Sequence, residues 1–190
     1  MSDINLDVHK AQAALQEAAI SVFAEMTFMD ALVPPPEAGK PGPSPKPATG
    51  AAPEALAVNG GKSAEEEGVH AALDVLKPLS CRMEILLTRP LSDRIADILY
   101  GEAEVEFNGD EAPAPLPSNR NRDDSILEIL NIMAGTFLSN YFGPGTPFKL
   151  ELPFFVFGEA DVTGPILSRV VLDVEGFPAE VLLRSIRYRY

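Results

Sequence analysis

Glu128 and Asn131 stand three positions apart in the run Asp124-Ser-Ile-Leu-Glu128-Ile-Leu-Asn131-Ile-Met-Ala-Gly135. On a helix that spacing puts a carboxylate and an amide one turn apart on the same side. Taking roughly 100° per residue with Glu128 as zero, Asp124, Asn131, Gly135 and Ser139 fall within about 60° of it. Ile126, Leu130, Met133 and Phe137 fall within about 40° of the opposite side, which makes that side the core face. Asn is a mediocre helix former and Gly a poor one, so both residues need a reason beyond propensity in mid-helix. A carboxylate can meet a cation, an amide both donates and accepts hydrogen bonds, and a glycine lets another surface come close. Together they describe a face that a second protein can approach. A solvated helix face with a small residue beside a packed neighbour explains the same stripe, because an E-x-x-N match arises by chance about once in a few hundred residues.

The elements around this helix must position it. Leu15, Ala18, Ala19, Val22, Phe23, Met26 and Met29 recur at steps of three and four, predicting an amphipathic first helix from about Asp3 to Leu32. Pro34, Pro35 and Pro36 stop it, and residues 34–67, rich in Pro, Gly and Ala, are expected to be a flexible linker or surface loop. Leu73 and Val75, then Cys81, Met83, Ile85 and Leu87 alternating with Arg82, Glu84 and Thr88, predict a β-hairpin turning at Lys77–Ser80. Leu91, Ile95, Ile98 and Leu99 predict a short helix after Pro90 that ends at Gly101.

Residues 102–120 are acidic and proline-containing, and are expected to form a second flexible loop. The Glu128 helix is expected to be capped by Asp123 or Asp124, to continue to about Tyr141 and to close at Gly143. Phe148, Leu150, Leu152, Phe154 and Val156 predict one strand, and residues 169–174 and 180–190 predict two more around a turn at Glu175–Pro178. The order of elements implies an α+β fold in which helices pack on one face of a largely antiparallel sheet. The domain then comprises residues 1–33 as its first helix, the 34–67 insertion, and residues 68–190.

Composition narrows the function classes. A formal net charge of −13 over 190 residues argues against nonspecific binding to nucleic acid or an anionic membrane. Cys81 is the only cysteine, so it is read as a core thiol in a reducing compartment, and neither a disulfide nor a cysteine zinc site is expected. His9 and His70 are the only histidines, and His9 has no cysteine or paired acidic residue at ligand spacing, so no zinc or other metal site is expected. No nucleophile elbow supports Ser-His-Asp catalysis. Glu65, Glu66 and Glu67 are read as solvated linker residues. Arg184, Arg187 and Arg189 alternate with Ile186, Tyr188 and Tyr190 and are read as charges guarding a terminal edge strand. Without an apolar leader or a run of membrane-spanning length, a cytoplasmic location is expected.

Asp124-x-x-x-Glu128-x-x-Asn131, continuing as Ile132-Met133-Ala134-Gly135 and followed by Leu152-Pro153, resembles the signature of the CheC, CheX and FliY chemotaxis phosphatases. That pattern is an Asp or Ser, three residues, Glu, two residues, Asn, and then a proline about 23 positions on. Here Pro153 follows Asn131 by 22 positions, a difference that one residue in the turn at Gly143–Thr146 absorbs. The resemblance runs from about Leu73 to the C-terminus and includes the Val22-Phe23-x-x-Met26 pattern of the first helix. A single E-x-x-N pair is closer to the CheX branch than to the two-site CheC arrangement.

The resemblance implies a fold shared with the FliM middle domain and a substrate that is the aspartyl phosphate of a CheY-like response regulator. It implies that Asn131 orients the attacking water and that Glu128 pairs with a receiver lysine. Asp124, Gly135 and Pro153 would then border the partner, and Asp124 would cap the helix. Any Mg2+ would belong to the receiver, leaving this chain with no cofactor of its own. CheX proteins pair, and a C-terminal strand edge would also serve for a homodimer. Two further classes stay open: an inactive receiver-binding module and a structural relative of the flagellar switch.

Overall fold

The computed structural model describes residues 6–35, 68–100, 119–157 and 164–186, with the backbone alone over 119–122. The proline-rich stretch beyond Pro35, the acidic stretch 101–118, Arg187 and Arg189 lie outside the described residues. In chain order the elements are α1 (Val8–Thr27), β1 (Ala31–Leu32), β2 (Val69–Lys77), β3 (Cys81–Leu87), α2 (Arg89–Tyr100), α3 (Asn119–Phe142), β4 (Lys149–Leu150), β5 (Phe154–Phe155), β6 (Ile166–Val174) and β7 (Phe177–Ser185).

Asp7 caps α1, its Oδ1 accepting from the backbone N–H groups of His9 at 3.0 Å and Lys10 at 3.1 Å. The helix ends earlier than its apolar stripe predicts. Phe28 takes the left-handed conformation at φ 55°, and the chain turns into β1, where Ala31 pairs with Val174 and Leu32 with Asp173. Thus Ala31 and Leu32 form an edge strand rather than the last turn of a helix. Pro90 sits in the first turn of α2, where a missing N–H costs no helical bond.

The sheet runs β1-β6-β7-β3-β2-β4, with β5 also on β2, and every pairing is antiparallel. β6 and β7 meet at a two-residue turn, Glu175 and Gly176, both at positive φ as a tight hairpin of this twist requires. The three helices of the described residues lie on one side, with α3 between α1 and α2 and against β2 and β3. Val69, Ala71, Leu73 and Val75 of β2, Met83 and Ile85 of β3, and Val181 and Leu183 of β7 face them. They form one core with Phe23, Leu91, Ile95, Leu130 and Phe137. The α+β architecture expected from the order of elements is therefore the observed one.

β7 lies inside the sheet, between β6 and β3. This overturns the placing of the C-terminal strand at an edge, and with it the edge argument used for a homodimer. Among the described residues the sheet ends instead at β1 and at β4 and β5. Arg184 is accordingly no edge guard: it is buried, with Nε 3.0 Å from Glu84 Oε2 on β3. His70 Nε2 approaches the same oxygen at 3.3 Å, and Arg82 grips Asp74 through two bonds of 2.6 and 3.0 Å. These charges occupy the face away from the helices, where diagonal and directly opposite neighbours on adjacent strands come within reach. Cys81, fully buried, has its thiol pushed up to about 12 by burial and then by the charge of Asp74, so it behaves as the core residue its alternation indicated.

Candidate functional site: the outward face of α3

α3 buries Ile126, Ile129, Leu130, Met133 and Phe137 completely. Its C-terminal end is held where expected. Gly143, at φ 94°, returns its N–H to Ser139 O at 2.9 Å, and the Tyr141 hydroxyl accepts the Asp7 N–H at 2.9 Å. Once that face is fixed in the core, the helical period turns Asp124, Glu128 and Asn131 outward, and all three are exposed. Neither Asp124 nor Glu128 forms an ion pair with a cation among the described residues.

Asp124 is not a cap. The helix begins at Asn119, so Asp123 and Asp124 both lie more than a turn inside it. The two neighbours diverge because successive residues on a helix point about 100° apart. Asp123 is half-buried and ion-paired with Arg89, its Oδ1 3.0 Å from Nη1, joining α3 to the start of α2, whereas Asp124 stays on the outward stripe with Glu128. At the other end of α2 stands Tyr100, 47% exposed. Partial burial and then the charges on Glu128 and Asp124 raise its phenol pKa above the usual tyrosine value, and the helix it closes packs against α3.

Gly135 is half-buried, with the ring of Phe148 beside it. A Cβ built on Gly135 would sit 3.9 Å from Phe148 Cζ, an ordinary contact, so packing within the chain does not require a glycine here. The ring itself is 45% exposed, and Ile132, next to Asn131, is 38% exposed. Residues 148–156 do not form one strand. Leu150 pairs with Val75 and Phe154 with Ala72, so the outer chain spends one residue more than β2 between these pairs, a bulge at Glu151–Pro153. Pro153 cannot donate to the ladder, and Leu152 turns out to 88% exposure instead of facing the core. Pro153, half-buried, therefore shapes the edge beside β2, while Glu128, Asn131 and Gly135 share the helix stripe.

The motif and the expected strand include Ile132 and Phe148 but give them no part in the site, and Tyr100 belongs to neither. The helical wheel that grouped Asn131 with Glu128 also puts Ile132 about 40° from Glu128, a signal available in the pattern. Tyr100 and Phe148 come from other elements and reach the stripe only through packing. Among the described residues no group of His, Cys, Asp and Glu side chains is placed to hold a metal ion, and no helix is long and apolar enough to cross a membrane.

Neither the protein-family models nor the curated protein sequences give a match to this chain. Solved structures do. CheX of Borrelia burgdorferi, determined in a complex with CheY, BeF3 and Mg2+, is 19% identical with a TM-score of 0.53, over 90% of this chain and 95% of its own. CheX of Vibrio vulnificus is 14% identical with a TM-score of 0.57, over 92% and 98%. CheX of Desulfovibrio desulfuricans is 12% identical with a TM-score of 0.59, over 92% and 97%. The chain is thus an α+β protein with helices on one face of an antiparallel sheet and a polar stripe on the middle helix. Its fold is that of the CheX and CheC-like chemotaxis proteins.

Proposed function

We propose that this protein is a CheX-like phosphatase that hydrolyses the aspartyl phosphate of a CheY-like receiver domain in the cytoplasm. The observation that carries the reading is the exposure of Glu128 and Asn131 on one face of α3, one turn apart, in a chain with this fold. Moving a phosphoryl group to water needs positioning and charge stabilisation more than covalent help. An exposed amide has the means for the first task. Its oxygen accepts a hydrogen bond from a water and its nitrogen donates to an oxygen of the phosphoryl group, so Asn131 holds the water in line with the bond to be broken. The water oxygen bonds to phosphorus, the aspartyl oxygen leaves as a carboxylate, and inorganic phosphate is released.

Glu128 supplies the second element, an exposed carboxylate that pairs with a receiver lysine and fixes the dock. Asp124 adds negative charge on the same stripe. A Mg2+ ion at the receiver's own site neutralises phosphate charge there, and no residue of this chain is assigned to it. The CheX of Borrelia burgdorferi with its bound CheY supports the choice of partner.

The test is to mix the protein with receiver domains charged by acetyl phosphate and to follow phosphate release. Accelerated release that Asn131→Ala abolishes supports the proposal. A receiver that binds tightly yet loses phosphate at its own rate points to the binding module instead.

A further inference from the structure

Beside the polar pair, the same surface carries two apolar groups with no polar task. Ile132 follows Asn131 and is 38% exposed on the outward side of α3. Phe148, from the segment entering β4, lies beside Gly135 one turn beyond Asn131 and leaves 45% of itself in solvent. Phe148 precedes Leu150 by two residues, and Leu150 packs on the core through its pairing with Val75. The alternation of the strand thus sends the Phe148 ring to the helix side and onto α3. The nearest ring atom to a Cβ built on Gly135 is Phe148 Cζ at 3.9 Å, so the glycine leaves room beside a ring that is already 45% exposed.

From this placement we infer that Ile132, Gly135 and Phe148 form an apolar shelf that seats an apolar side chain of the receiver next to the cation engaged by Glu128. This inference rests on the proposed function for the identity of the partner. The occupant follows from continuity and charge. Gly135 lies one turn from Asn131 on the same stripe and Ile132 about 40° from Glu128, so a protein that docks on this stripe meets the shelf as well. Exposed Asp124 and Glu128 select a partner surface that carries a cation there. Aromatic groups surrounded by a polar rim are the usual anchors of protein contacts, and they act on affinity rather than on the chemical step. The shelf therefore sets how tightly the receiver binds, and Asn131 sets how fast it is dephosphorylated.

The experiment uses the full chain and a receiver domain that the wild type dephosphorylates, measuring both the Kd for the beryllofluoride-charged receiver and the single-turnover rate at saturating protein. Phe148→Ala should raise Kd by about 10-fold and leave the saturated rate within about twofold. Ile132→Ala, on an exposed helix position where alanine is the better helix former, should raise Kd severalfold without loss of folding. It keeps the test valid if Phe148→Ala proves unstable. Val171→Ala, on the sheet face away from α3, is the control and should change nothing. An unchanged Kd in Ile132→Ala and in folded Phe148→Ala overturns the shelf while leaving the phosphatase reading intact. A wild-type protein that neither binds nor dephosphorylates any receiver removes the phosphatase reading, and the shelf with it.

Discussion

Tyr100 closes α2, which packs against α3, and partial burial followed by the charges of Glu128 and Asp124 raises its phenol pKa. Two helices separated by a long acidic insertion thereby put a phenol and two carboxylates on one surface. The relationship can be read optically. A raised pKa means that the charged phenolate is disfavoured, so removing a neighbouring negative charge should relax the shift. Glu128→Gln should lower the Tyr100 pKa relative to wild type in a spectrophotometric titration of phenolate absorbance, with Tyr100→Phe identifying the transition. A titration of Tyr100 unaltered by Glu128→Gln would separate the two groups.

The proposed division of labour between Asn131 and Glu128 leads to unequal kinetic outcomes. Asn131 acts on the water in the transition state, so Asn131→Ala should lower receiver dephosphorylation by about 10²-fold or more with little change in binding. Glu128 attracts the receiver before and during reaction, so Glu128→Ala should weaken the complex as well as slow it. Single-turnover rates and Kd values on one receiver decide the matter. Equal behaviour of the two variants would dissolve the assignment of separate roles. Both variants should remain folded, since both side chains are exposed on α3 and alanine is the better helix former.

Gly135 offers a contrast between stability and docking. A methyl group there meets Phe148 at 3.9 Å, an ordinary contact, and glycine within a helix costs about 0.5–1 kcal/mol relative to alanine. Gly135→Ala should therefore raise the melting temperature by a few degrees in calorimetry. Any loss of receiver affinity in this more stable protein would locate the approach of the partner at that position. A lower melting temperature would mean that the ring of Phe148 cannot tolerate the methyl group.

The charges on the opposite face predict acid sensitivity. Burial alone would push the Glu84 carboxyl up, but the hydrogen bonds from His70 and Arg184, with their charges, outweigh it and hold its pKa below the usual glutamate value. A depressed carboxylate pKa contributes stability that is present above the unfolded-state pKa and is lost as pH falls through the folded-state value. Melting temperature should thus drop as pH is lowered below about 4.3, and Glu84→Gln should flatten that dependence. At neutral pH the same substitution leaves buried Arg184 without its carboxylate and should cost about 3–5 kcal/mol. Glu84→Gln combined with Arg184→Met should recover part of the loss in denaturant unfolding, because the uncompensated charge is gone.

Periodicity was enough to find most elements and the stripe on α3. The apolar positions of that helix had to face inward, so Glu128 and Asn131 had to face out, and this followed from 3.6 residues per turn with no knowledge of neighbours. The β2–β3 hairpin, the helix after Pro90 and the stop at Gly143 were legible for the same local reasons of alternation, proline and glycine geometry. Boundaries set by distant partners were not. Ala31 and Leu32 continue a helical pattern in sequence and became a strand because β6 offered its edge. The strand expected from Phe148 to Val156 was broken by a bulge where Pro153 withholds its N–H from the ladder with β2. The last strand looked like an edge in chain order, yet its register with β3 and β6 places it inside the sheet and turns Arg184 from a solvated charge into half of a buried pair. Likewise Tyr100 and Phe148 reach the stripe from elsewhere in the chain. Sequence fixes which way a side chain leaves its own helix or strand, because that depends on local backbone geometry. Which foreign side chains it meets depends on long-range pairing and packing, and only the tertiary structure decides that.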